Sequence, residues 1–143
     1  MQSARNDGDV KSALSQAHKQ VRAEYILPYL SHATMETMNC TAHVRSDGCD
    51  IWVPTQGQTR ALQAATKITG LKPEQIQVHT TYVGGGFGRR ALVEHVEEAV
   101  QIAKDTGRPI KLVWSREEDI QYGSYRPGNS CRIAGAIDGQ GRA

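Results

Sequence analysis

The stretch Val83-Gly84-Gly85-Gly86-Phe87-Gly88-Arg89-Arg90 places four glycines within five positions. Glycine loses more backbone freedom on folding than any other residue, so a run this dense implies that something must lie directly against the main chain. Between a strand and a helix, a row of backbone N–H groups and the helix N-terminus would together suit an anion. Phe87 is either a core anchor or a lid over a bound planar group. Arg89 and Arg90 are either solvated charges or further donors to a phosphate. Two common nucleotide patterns do not fit: the dinucleotide fingerprint needs glycine where Arg89 stands, and no G-K-[ST] completes a Walker A loop.

A second stretch, "WVPTQGQTR" from Trp52 to Arg60, reads as another strand-to-helix corner, with Pro54 closing the strand. Thr55 there is either a helix cap beside two solvated glutamines, or it flanks a Gln56 whose neutral amide hydrogen-bonds an oxo or hydroxo group without adding charge. Two such corners opening at one end of a sheet would make one site. In the third stretch, "YLSHATMETMNCTAHV", residues His32, Glu36 and His43 lack the spacing of a metal cradle. His32 and Glu36 read as hydrogen-bonded structural residues, and Met35 and Met38 as core fillers.

The elements that must position these residues follow from periodicity. Val10 to His18 suits a short helix and "VRAEYIL" a strand; Met1 to Gly8 reads as disordered. "TAHVR" and "CDIWVP" flank Asp47-Gly48, a hairpin signal. Apolar spacing predicts a helix from Thr59 to Thr69 stopped by Gly70, and another from Leu92 to Ala103 ending near Gly107. "PEQIQVHTTYV" predicts a strand running directly into the glycines, "IKLVW" a buried strand, and "CRIAGAI" a last strand before Asp138-Gly139. The expected fold class is α/β, of the α+β two-layer kind: a mixed sheet of about five to six strands with two main helices. Residues 1–20 read as a flexible segment with a short helix, and 21–143 as the binding domain. A D-G turn normally leads into a partner strand, so the stop just after it suggests a piece cut from a longer polypeptide.

The 143 residues carry a net charge of +2 with both signs interspersed, which gives no footprint for nucleic acid. No run approaches membrane-spanning length. Cys40, Cys49 and Cys131, odd in number and without a C-x-x-C, read as reduced, buried, small apolar residues.

Taken in order, "HATMETMNCTA", "WVPTQGQT", "VGGGFGRR" and "WSREEDI" resemble the molybdenum-binding large subunit of the xanthine dehydrogenase and aldehyde oxidase family. The similarity is nearest its isoquinoline 1-oxidoreductase beta-subunit branch and runs from about Asp7 to the end. The resemblance implies a molybdopterin cofactor, as the cytosine dinucleotide in bacterial members, with molybdenum held by the pterin dithiolene and not by protein side chains. It implies hydroxylation of an N-heteroaromatic compound or an aldehyde using water. It assigns Gln56 to the oxo or hydroxo ligands, and Gly85, Gly86, Phe87, Gly88 and Arg89 to the cofactor. It also implies [2Fe-2S] clusters in a partner small subunit, and a cytoplasmic or periplasmic parent protein. The family's base, a glutamate in a Gly-x-Gly-Glu segment, has no counterpart in this chain, so the 143 residues are not expected to act alone. Ala91 stands where purine-oxidising members carry glutamate, which disfavours a purine. The reading from a different class is a non-catalytic α/β module that binds a nucleotide phosphate or a protein partner at the glycine corner.

Overall fold

The computed structural model describes residues 7–143. Most of the expected disordered start lies in residues 1–6, outside the described residues. In chain order the elements are α1 (Val10–Gln16), β1 (Lys19–Leu27), β2 (Asn39–Val44), β3 (Cys49–Val53), α2 (Gln58–Thr69), β4 (Ile76–Thr80), α3 (Glu94–Thr106), β5 (Ile110–Val113), α4 (Arg116–Gln121) and β6 (Asn129–Ile137). Short 3-10 turns occupy Pro73–Gln75 and Arg89–Ala91. The six strands form two sheets, one of four strands and one of two. The chain divides accordingly into two units.

Leu30–Arg126 is the larger unit. Its sheet has the order β4-β3-β2-β5, with β2 antiparallel to β3 and β5, and β3 parallel to β4. The Asp47-Gly48 hairpin joins β2 and β3 as its sequence suggests, with Val44 opposite Cys49. Parallel partners cannot be joined by a tight turn, so β3 reaches β4 through α2. Both helices pack on the sheet through small residues. Ala61 and Ala65 of α2 and Val96, Ala99, Val100 and Ala103 of α3 meet Cys40, Ala42, Cys49, Ile51, Val53 and Ile76 in one core. Alanine at the contacts lets helix backbones approach closely, and each fully buried Val or Ile adds roughly 1.5–3 kcal/mol. Gly70 and Gly107 end α2 and α3 in the left-handed region, at φ 76° and 64°.

The structure departs from the sequence pattern at several elements. β4 stops at Thr80 and does not run into the glycines, and its predicted first residues form the Pro73–Gln75 turn, because proline fixes φ and lacks a donor for the ladder. The helix predicted from Leu92 begins at Glu94. β5 is an edge strand, and its Val113 is exposed, not buried. Helix α4 was not expected, although Ser115 caps it by accepting from Glu118 N–H at 3.1 Å, a start signal present in "SREE". Met38 fills the core as expected, whereas Met35 is 91% exposed.

The smaller unit joins the described residues up to Tyr29 with Pro127–Ala143. Here β1 and β6 form an antiparallel ribbon, Val21 opposite Gly135 and Tyr25 opposite Cys131. Alternation puts Val21, Tyr25, Leu27 and Ile133 on one face, each more than half exposed. The partner expected for the last strand therefore precedes it by most of the chain. The Asp138 turn closes on itself, its carboxylate accepting from the backbone N–H groups of Gln140 (2.8 Å) and Arg142 (3.0 Å). All three cysteines are free thiols; Cys40 and Cys49 are buried, while Cys131 is half-buried on the ribbon. Burial pushes the Cys40 thiol up to about 12 and the Cys49 thiol up to about 11, so both are inert.

Candidate functional site

Because β3 and β4 are parallel and Val53 pairs with Thr80, the loops that leave them emerge at the same sheet end. One carries Pro54 to Gly57 and the other carries the glycines. They touch. The Gln56 backbone N–H donates to the Arg90 carbonyl at 3.0 Å, and Thr55 Oγ1 donates to the same carbonyl at 3.0 Å. Thr55 also accepts from Gly57 N–H, which makes it a turn residue and not the cap of α2; Gly57 holds the cap position.

Each glycine in the stretch has its own physical reason. Gly85 and Gly88 sit at φ 94° and 96°, where side chains are strained. Gly84 and Gly86 are required by close approach. A Cβ on Gly84 would lie 2.5 Å from Glu36 Cβ, and one on Gly86 would lie 2.5 Å from Gln56 Oε1. What lies against the main chain is thus, in the first place, the chain's own Glu36 and Gln56. Phe87 adopts φ 51°, unusual for a side chain of its size, and is 65% exposed. Of the two roles open to it, core anchor is excluded by that exposure.

Gln56 has a defined orientation. Its Oε1 accepts from Gly88 N–H at 3.1 Å, which leaves the Nε2 amide group without a partner among the described residues. The backbone N–H groups of Gly85, Gly86 and Phe87 also donate to nothing among the described residues, whereas Gly84, Gly88 and Arg89 are engaged. Gln56 Nε2 and the backbone N–H groups of Gly85, Gly86 and Phe87 are therefore four uncommitted donors on two loops in contact. These donors are loop amides: Gly88 is separated from the start of α3 by the Arg89–Ala91 turn and by Leu92 and Val93, so the expected helix N-terminus is not at the glycines.

Both arginines turn inward. Arg90 is wholly buried, its Nε donating to the Gly85 carbonyl (2.7 Å) and its guanidinium also reaching the Pro54 and Glu36 carbonyls. Arg89 is 2% exposed, pairs with Glu94 at 3.1 Å, and lies over the Trp114 ring at 5.4 Å. Neither guanidinium is displayed at the glycine loop as a solvated charge or a surface phosphate donor. Glu36 feels burial, which would raise its pKa, but bonds from Gly84 N–H and Asn39 and the Arg90 charge hold it below the usual carboxylate range. Beside Arg89, His95 is fully buried in α3, and burial, with help from Arg89 and Arg90, pushes its pKa down to about 4. The weak metal candidates are otherwise engaged: His32 Nδ1 donates to the Ser124 carbonyl at 3.1 Å, and His43 accepts from Arg45.

The sequence matches the molybdopterin cofactor-binding domain family over residues 1–143. The chain belongs to that family. It is 34% identical to the isoquinoline 1-oxidoreductase subunit beta of Brevundimonas diminuta over 106 residues, which is 73% of this chain and 14% of that protein. It is 31% identical to the xanthine dehydrogenase/oxidase of Rattus norvegicus, over 79% of this chain and 9% of that one. The aldehyde oxidoreductase from Desulfovibrio gigas superimposes with a TM-score of 0.73 at 22% identity, covering 92% of this chain and 15% of that chain. This molybdopterin cofactor-binding domain thus spans less than a fifth of each relative's length. What the residue reading left unassigned is the pair Glu36 and Arg90, whose partners stand 48 and 54 positions away in sequence. The glutamate next to Met35 was visible as a structural residue, but no local pattern tied it to the glycines.

Proposed function

We propose that this chain, chiefly its residues 21–143, cradles the molybdenum cofactor of an oxidoreductase that hydroxylates an N-heteroaromatic compound or an aldehyde with water. The observation that supports it is the set of four uncommitted donors, Gln56 Nε2, Gly85 N, Gly86 N and Phe87 N, on two loops held in contact. Neutral, pre-oriented donors suit oxo ligands, because they stabilise developing negative charge without demanding a counter-ion. When bound, the molybdenum group would supply the activation of water and take up the electron pair from the substrate carbon.

The chain's own part is to bind and orient. Gly88 N–H fixes Gln56 with its NH2 outward, so Gln56 acts as a donor and not as a base. The exposed Phe87 ring, at its positive φ, stands beside the free amides as a wall for a planar group. Ala91 offers no carboxylate, and its carbonyl is occupied by Arg60 Nη1 at 3.0 Å, which disfavours a purine. The cytosine dinucleotide form of the cofactor, the [2Fe-2S] small subunit as electron acceptor, and a cytoplasmic or periplasmic location belong to the same proposal. So does a proton-accepting glutamate outside these 143 residues.

The test is isotopic. The full-length protein with its partner subunit is given isoquinoline or benzaldehyde in 18O-labelled water with a dye as electron acceptor. The expected product carries the label, and Gln56→Ala lowers kcat by about 100-fold. Unlabelled product, or no oxidation of either class, would refute the proposal.

A further inference from the structure

We infer that Arg90 and Glu36 form a positioning clamp that holds the Gln56 and glycine loops in the register needed to present their donors, a role that rests on the reading above. Arg90 touches both loops through both ends. Its guanidinium donates to Gly85 O (2.7 Å), Pro54 O (3.4 Å), Glu36 O (2.6 Å) and Glu36 Oε2 (3.0 Å). Its own carbonyl accepts from Gln56 N–H and Thr55 Oγ1, both at 3.0 Å. Glu36 closes the other side: Oε2 accepts from Gly84 N–H (2.8 Å), Oε1 from Asn39 Nδ2 (2.8 Å), and its backbone N–H donates to Gly84 O (3.1 Å).

None of the residues that Arg90 hydrogen-bonds through its guanidinium or its carbonyl lies in a strand or helix: Glu36, Pro54, Thr55, Gln56 and Gly85 are all loop residues. The pair's hydrogen bonds therefore order the loops and add none to the sheet or to the α2–α3 core. A buried guanidinium is costly to desolvate, and arrangements of this kind add specificity of conformation more reliably than stability. Here the conformation fixed is the one in which Gly85 points its carbonyl inward, leaving the next two amides, Gly86 and Phe87, free. Removing Arg90 strands the carbonyls of Gly85 and Pro54 and releases Glu36, so the glycine loop loses its anchor on two sides.

The experiment uses the full-length protein and two variants, Arg90→Met and Glu36→Gln, the second keeping the shape and removing the charge. Amide hydrogen exchange over residues 84–88 is read together with molybdenum content, the Mo(V) electron paramagnetic resonance spectrum and kcat. Arg90→Met is expected to speed exchange at 84–88 by about tenfold or more, with β2 and β3 still protected, while the Mo(V) lines shift and kcat falls more than KM changes. Glu36→Gln should move the same readouts in the same direction by less, and it carries the test if Arg90→Met does not fold. Unchanged exchange in a folded variant overturns the clamp, as does faster exchange with an unchanged Mo(V) spectrum and kcat, which would mark a purely structural pair. A wild-type protein without molybdenum overturns the functional reading and the positioning role with it. Normal molybdenum with unaltered exchange overturns the clamp alone.

Discussion

Gly84 and Gly86 meet different obstacles when a methyl group is added, and the difference separates folding from function. The new Cβ at Gly84 would press on Glu36 Cβ, an atom next to the backbone that cannot swing aside. At Gly86 it would press on Gln56 Oε1 and Cδ, at 2.5 and 2.7 Å, the movable end of a long side chain. Gly84→Ala is therefore expected to cost about 2 kcal/mol in a thermal melt. Gly86→Ala should melt within a few degrees of the wild type but lose turnover, because Gln56 leaves Gly88. Equal melting losses for the two would contradict this assignment. At this scale the sequence was half legible. Glycine density correctly announced a close approach to the main chain, but the approaching groups were Glu36 and Gln56, set by the fold. Arg89 and Arg90 read from their neighbours alone as solvated charges or phosphate donors, since the Glu36 and Pro54 oxygens around Arg90 and the Trp114 ring beside Arg89 are brought in by the fold.

Helix α3 shows what periodicity conveys and what it omits. Its apolar spacing placed Val96, Ala99, Val100 and Ala103 in the core, and they are there. His95 lies on the same buried side, with both ring nitrogens unpartnered among the described residues. Its neighbours are Arg89, Arg90, Glu94 and the Trp114 ring, 6.4 Å away edge-on. Burial, then the two arginines, depress its pKa to about 4 against 6.5 for the free side chain, with Glu94 opposing. The unfolded chain thus takes up a proton below pH 6.5 that the folded chain refuses until about pH 4. Its contribution is complete above 6.5 and is lost as pH falls toward 4, a loss of about 3 kcal/mol in all. Urea midpoints of the wild type should fall across that window, and those of His95→Phe should be flatter; parallel curves would contradict the burial account. The hairpin, α2 and α3 were legible because turn chemistry and apolar spacing act locally. Helix α4 escaped because its six residues show a cap but no complete apolar stripe.

For the whole chain, local pattern reached its limit at strand partnership. Three strands of the larger sheet follow from a hairpin and a helical crossover, both written in consecutive residues, whereas the pairing of β5 with β2 spans most of the larger unit. The ribbon follows from neither, since β1 and β6 are separated by the entire larger unit and their register depends on which faces are apolar. The parallel pairing of β3 with β4 has the largest functional consequence, because it alone brings Gln56 and Gly86 to one sheet end. The two strand-to-helix corners make one site only if they open at the same sheet end, and the parallel pairing meets that condition. The clamp beneath that site was not legible in the sequence, since it depends on a third loop, at Glu36. Metal analysis of the full-length protein, purified with the proposed partner subunit and denatured to release pterin fluorescence, tests the central claim most directly. Molybdenum and pterin in equimolar amount with the chain are expected, and a protein devoid of both would contradict the account.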